Sequence, residues 1–299
     1  MSHVKMHADE VDTDESLVGR LVASQFPHWA GLPVVRVPSA GTDNALYRLG
    51  DGMLVRLPRI HWAADDVHKE QRWLPKLAGH LPVEVPTPVA MGTPGEGYPW
   101  HWSIYRWIEG EPPTVGTLDD AASLATEVAS FVRALQRLDT RDAPRAARGV
   151  HLSEQDAGTR EAIAQLRGQV DTDAVTMVWE DGLGVAPWAG SPVWIHGDLK
   201  PDNLLLRDGH LRAVIDFGGL GAGDPAADML IAWTLLSPMA RARYRAVLDV
   251  DRDTWRRGRA WALSIALIQL PYYQHSNRAL AASARHVIAE VLEDVRSDF

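Results

Sequence analysis

Residues 193–223 read VWIHGDLKPDNLLLRDGHLRAVIDFGGLGAG, and the dipeptide Asp208-Gly209 at their centre sets the local geometry. An Asp-Gly pair between two short β-prone runs, 204–207 and 210–215, predicts a two-residue hairpin, because both turn positions take positive φ. With that turn Arg207 faces His210, Leu205 faces Arg212 and Asn203 faces Val214. Side chains alternate along a strand, so Asn203 and Asp216 fall on one face near the open end of the hairpin. Asp198 lies on the loop that enters it. An amide and a carboxylate with a second carboxylate close by make a hard-oxygen site. Mg²⁺ takes such a site when phosphate and water supply its other ligands.

HGDLKPDN at 196–203, followed by IDFG at 215–218, resembles the catalytic and metal-binding segments of the protein-kinase-like superfamily. The HGD form, with Gly197 in its middle, and GDPAAD at 223–228 make the pattern similar to the aminoglycoside phosphotransferase family, which includes macrolide and related small-molecule kinases. The resemblance implies an α+β, two-lobed protein-kinase-like fold: a small antiparallel-sheet N-lobe over 1–108 and a mainly helical C-lobe over 109–299. It also implies ATP, with GTP as an alternative donor, and Mg²⁺ bound between the lobes. Asp198 would accept or orient the proton of an acceptor hydroxyl, and Asn203 and Asp216 would hold the Mg²⁺. Lys200 would touch the transferred phosphate, its competing reading being a solvated loop lysine. His196 reads as a loop brace rather than a base, and Asp224 and Asp228 as capping and loop-bracing groups.

Upstream, 1–12 reads as a frayed leader in which His3 and His7 lack a third partner for a metal. An amphipathic helix is predicted over 16–26, from Leu17, Leu21 and Val22 on one stripe. Residues 34–57 read as a small antiparallel sheet with a turn at Gly50-Asp51-Gly52. By the resemblance, Gly41 sits where a phosphate-covering loop would lie, and no GxxxxGK[S/T] motif occurs. By the resemblance, Arg56 stands in the place of the strand lysine that binds ATP. It keeps the charge in a larger planar group, and Arg59 competes for the role. A helix is predicted over 65–77 with an acidic first turn, kinked or ended near Leu74 by Pro75. Its Glu70 is expected to pair with Arg56. A strand over 100–108 leads into Glu109-Gly110-Glu111-Pro112-Pro113, the predicted domain boundary. By resemblance this is the hinge, with the backbone of Arg106 and Ile108 meeting the adenine, and Ile215 joins the nucleotide-binding set.

The second half reads as helices. A helix over 117–138 has Thr117 and Asp120 as a capping box and a stripe of Ala121, Leu124, Ala125, Val128, Val132 and Leu135. A second covers 153–170, followed by an acidic loop, VWEDGLGVAPWAG. Asp156, Glu180 and Asp181 are read either as facing an acceptor amine or as solvated surface charge. Further helices are predicted over 226–236, 255–269 and 278–295, with PYYQHSN at 271–277 breaking the last two.

Composition narrows the classes. A net charge of −9 argues against a nucleic-acid binder and fits a cationic acceptor. The absence of cysteine excludes disulfides, thiolate metal sites and cysteine nucleophiles. No apolar run spans a membrane and no secretory h-region is seen, so a cytoplasmic enzyme, monomer or homodimer, is expected. The leading expectation is an O-phosphotransferase acting on an aminoglycoside. A macrolide, sugar or other natural-product kinase is the alternative, and a non-catalytic nucleotide-binding pseudokinase is the reading from another class.

Overall fold

The computed structural model describes residues 10–39, 41, 43–116 and 121–297. His3, His7 and the Thr117–Asp120 box therefore lie outside the described residues. The chain divides into two compact units, one of Met1–Gly110 with Ala213–Gly218, the other of Glu111–Arg212 with Gly219–Phe299.

The N-terminal unit begins with helix α1 (Glu15–Gln25), capped by Asp14, whose carboxylate accepts the Leu17 N–H at 2.7 Å. Five strands follow: β1 (Val34–Val37), β2 (Asn44–Leu49), β3 (Met53–Pro58), β4 (Pro88–Gly92) and β5 (Trp102–Arg106). They form one antiparallel sheet in the order β1-β2-β3-β5-β4. Burial follows the period of two. Ala45, Tyr47 and Leu49 of β2 and Val55 and Leu57 of β3 are buried against Leu17, Leu21 and Val22 of α1. Arg56, between two inward residues of β3, points to the other face.

That other face meets helix α2 (His61–Leu77), whose buried residues Ala63, Val67, Glu70, Trp73, Leu74 and Leu77 keep the helical period. The helix starts four residues earlier than expected, which moves Asp65 and Asp66 out of the first turn. Ile60 caps it with no side-chain bond, so the start carries no sequence signal of the usual kind. Pro75 neither ends nor stops the helix. It falls in the last turn, where the Ala78 N–H still bonds to the Leu74 carbonyl.

The C-terminal unit carries α3 (Ala121–Gln136), α4 (Asp156–Gln165), α5 (Thr172–Leu183), α6 (Ile231–Thr234), α7 (Pro238–Leu248), α8 (Arg252–Tyr273) and α9 (Arg278–Ser297). Short strands β6 (Val193–Ile195) and β9 (Gly221–Gly223) pair antiparallel. Between them in sequence, β7 (Leu204–Arg207) and β8 (His210–Val214) form a two-stranded hairpin. Asp208 at φ 53° and Gly209 at φ 81° supply its turn, as the Asp-Gly signal requires.

Four expectations need correction here. The predicted helix over 153–170 is a 3₁₀ turn followed by α4, ending at Gln165. Of the acidic loop after it, 178–183 is the second half of α5, and only the stretch from Gly184 to Gly190 lies outside a helix. Trp179 is fully buried there with Leu152, Ala260 and Trp261, and Gly182 lets the helix approach α8, since a Cβ would stand 2.3 Å from the Ala260 Cβ. Helix 226–236 is mostly a 3₁₀ segment, Pro225–Leu230, before the short α6. PYYQHSN does not break at its proline: α8 runs through Pro271 to Tyr273. Among the described residues no helix is long and apolar enough to cross a membrane.

Candidate active site

In the C-terminal unit the HGD segment is built around a buried carboxylate. Asp228, with no exposed surface, accepts the His196 N–H at 2.9 Å on one oxygen and the Gly197 N–H at 2.8 Å on the other. Burial pushes the Asp228 carboxyl up, against the pull of His196 and the two backbone donors. The Tyr244 hydroxyl fixes the same residue by donating to its carbonyl at 2.9 Å. Gly197 adopts φ 78°, and a Cβ there would lie 2.5 Å from the Gly219 carbonyl oxygen, so only glycine fits. His196 is fully buried, and its Nδ1 accepts the Asp198 N–H at 3.2 Å. It braces the loop, as the sequence suggests. Asp224 accepts the Ala226 N–H at 2.9 Å and pairs with buried Arg257 at 2.6 Å.

This frame presents Asp198, whose side chain is 20% exposed. Lys200 Nζ lies 2.8 Å from its Oδ2, and Arg148 pairs with its Oδ1 while donating to the Gly197 carbonyl at 2.9 Å. Burial alone would raise this carboxyl. The Arg148 guanidinium and the Lys200 ammonium outweigh it and hold the group well below the usual carboxylate range. Asp198 is thus a fixed anion at neutral pH. Asn203 donates its amide to the Asp198 carbonyl at 2.8 Å and to Oδ2 at 3.2 Å. That leaves the amide oxygen of Asn203, a hard donor, for a cation.

In the N-terminal unit Arg56 is the centre of a charge relay. Its Nη1 reaches both oxygens of Glu70, at 2.7 and 2.9 Å, and its Nη2 reaches Asp216 Oδ1 at 2.6 Å. The Tyr105 hydroxyl also donates to Glu70. Burial would lower the Arg56 pKa, but Asp216 and Glu70 together raise it well above its ordinary value. The expected Arg56–Glu70 pair is therefore present, with Asp216 as a further partner that the sequence reading did not assign to Arg56. The competitor Arg59 is engaged elsewhere, by buried Glu10. Asp216 takes the left-handed φ of 62°, a region Asp tolerates better than most residues, and Ile215 beside it is half-buried. Lys69 ties Asp66 at 2.8 Å and the Gly218 carbonyl to the same segment.

Gly41, Arg106 and Ile108 were expected to meet the nucleotide. Gly41 is exposed, its N–H bonded to Ser39 Oγ at 3.0 Å. Arg106 ends β5, with its backbone N–H donated to the Thr87 carbonyl at 3.0 Å, and Ile108 follows half-buried. The three acidic candidates for an acceptor amine already hold arginines. Asp156 binds Arg160 at 2.8 Å, Glu180 binds Arg160 at 2.7 Å, and Asp181 binds Arg256 at 2.5 Å. Arg148 is the site residue that sequence reading missed. It sits in an irregular segment, RAARGV, with no periodicity or motif to mark it.

One unit thus carries a fixed carboxylate on the HGD loop with an amide five residues on, and the other an arginine–glutamate pair joined to the DFG aspartate. The model of the phosphotransferase enzyme family, APH, matches residues 34–261, and the chain belongs to that family. It is 28% identical over 269 residues to an aminoglycoside 3'-phosphotransferase of Escherichia coli, covering 82% of this chain and 95% of that protein. Its fold is that of the GDP and kanamycin complex of APH(2")-IIIa, with a TM-score of 0.76, 21% identity, and coverage of 93% of this chain and 98% of that one. The macrolide 2'-phosphotransferase MphH from Brachybacterium faecium shares the fold with a TM-score of 0.59 and 21% identity, over 92% of this chain and 98% of that one. The chain is accordingly a small-molecule phosphotransferase of α+β, kinase-like architecture.

Proposed function

We propose that the protein transfers the γ-phosphoryl group of ATP, or of GTP, to a hydroxyl of an aminoglycoside. The observation that carries the reading is the Asp198 carboxylate held between Arg148 and Lys200 on the HGD loop. Asp198 orients the acceptor hydroxyl and receives its proton as the oxygen bonds to the γ-phosphorus. The bond from that phosphorus to the bridging oxygen breaks, and the nucleoside diphosphate leaves. Arg56, steadied by Glu70, would meet phosphate charge, and Asn203 and Asp216 are the residues that would hold Mg²⁺. When bound, the Mg²⁺ would neutralise charge on the phosphates. Positioning and charge do the work, with no covalent enzyme intermediate. The aminoglycoside acceptor is supported by the Escherichia coli relative and by the kanamycin complex of the structural neighbour.

A less cationic acceptor, such as a macrolide, is the second reading. Arg148 places positive charge at Asp198, and Asp156, Glu180 and Asp181 are each already paired with an arginine rather than free for a polyamine. A turnover assay with ATP and Mg²⁺ across aminoglycosides and macrolides, read by mass spectrometry, tests both. A gain of one phosphate on an aminoglycoside, abolished in Asp198→Asn, is expected. Phosphate on macrolides alone would move the assignment to the second reading, and no product on either class would sink both.

A further inference from the structure

A cleft of about 320 Å³ opens in the C-terminal unit among α5, α7, α8 and α9, and it uses no residue of the HGD loop. Its charge is one-sided. Arg245, Arg252, Arg256 and Arg259 line it, and among the described residues Asp181 is its one lining carboxylate. Arg256 and Arg259 are compensated. Asp181 grips Arg256 through two bonds, at 2.5 and 2.9 Å, and Asp294 takes Arg259 at 3.3 Å. Arg245 and Arg252 have no carboxylate within ion-pair distance among the described residues. Arg252 is exposed, while Arg245 is half-buried, with its guanidinium carbon 5.1 Å from the centre of the Trp255 ring.

The rest of the wall is apolar. Trp255 and Val178 are buried, and Met177 is 59% exposed. Two guanidinium groups beside such a wall suit a ligand that carries an oxyanion on an apolar body. Each presents a planar fork of donors that matches a phosphate or carboxylate. The volume is that of a small-molecule site. In a chain of net charge −9, a local excess of arginine also draws anions that the rest of the surface repels.

We propose that this cleft is a second ligand site, taking a small organic oxyanion, a phosphate or carboxylate joined to an apolar group, with Arg245 and Arg252 as its anion-binding pair. The site is independent of the phosphotransfer reading and stands or falls without it.

Titration calorimetry of the full chain with phenyl phosphate, benzoate, inorganic phosphate and phenol tests it. Phenyl phosphate or benzoate is expected to bind, and whichever binds more tightly names the oxyanion. Inorganic phosphate should bind at least several-fold more weakly, and phenol should give no signal. Arg252→Ala, at an exposed position, and Arg245→Met, which keeps an apolar contact with Trp255, should each weaken the aromatic anion several-fold, and together at least tenfold. Asp198→Asn should leave it unchanged. Absence of binding by both aromatic anions at millimolar concentration would overturn the proposal. So would binding untouched by Arg252→Ala, or binding lost in Asp198→Asn.

Discussion

Arg148 forms an ion pair with Asp198, 50 residues further along the chain, and donates to the carbonyl of Gly197 as well. One side chain thus fixes the direction of the carboxylate on the HGD loop and, together with Lys200, its charge. Arg148→Ala should lower kcat by up to about 100-fold through misplacement of Asp198, with the KM for nucleotide little changed. Steady-state kinetics separate the two parameters, and an unchanged kcat would show that Lys200 alone suffices.

The Arg56–Glu70 pair is nearly dry, with side-chain exposures of 12% and 1%. Removing one partner strands the other. Glu70→Ala should destabilise the protein by about 3–5 kcal/mol, read as a lower urea midpoint. Arg56→Lys keeps the charge but gives up the planar fork that reaches Glu70 and Asp216 together. It should unfold earlier than the parent and raise the nucleotide KM. Equal stability of Arg56→Lys would mean that a point charge serves.

Asp228 accepts two backbone N–H groups, one on each oxygen. Asp228→Asn turns one acceptor into a donor that faces an N–H. The cost is about 1–3 kcal/mol for the unsatisfied pair, visible as a lower melting temperature. Because those donors shape the HGD loop, turnover should fall as well. A variant with the parent's melting temperature would argue that the loop holds itself.

Stability in acid should depend in part on Asp181. Its hydrogen bonds from Arg256 come first among the causes that hold its pKa below the ordinary value, outweighing burial. A carboxyl depressed in the folded state contributes stability above its unfolded pKa of about 3.9 and loses it as pH falls through the lower folded value. Asp181→Asn should therefore destabilise at neutral pH and less so at the acid end. Urea titrations at several pH values check this, and a pH-independent difference would contradict it.

What the sequence disclosed and what it hid divide along physical lines. The β7–β8 hairpin was readable because Asp208 and Gly209 both need positive φ, a local demand written in two letters. The stripe of α3 was readable because burial repeats with the helix. The Arg56–Glu70 pair followed from family resemblance, not from spacing. Helix α7 offered no such stripe. It buries only Ala240, Arg241 and Tyr244, one of them a charge held by Glu290 and Asp294. The end of α5 looked like a loop because Gly182 and Gly184 follow its tryptophan, yet Gly182 is there for the close approach of Ala260. Arg148 was hidden for a different reason: its partner is remote in sequence and nothing local prepares the contact.

The hexapeptide Ala213–Gly218 belongs to the N-terminal unit although it is made long after Gly110. Its Val214 N–H bonds to the Glu84 carbonyl at 3.0 Å, and its Asp216 holds Arg56. Because translation runs from the N-terminus, the Asp216 partner of Arg56 is synthesised only after most of the helical chain. No single cut in the polypeptide yields the sheet unit intact. A fragment ending at Gly110 would lack a piece of itself, and a synthetic peptide of the 213–218 segment would be its natural complement.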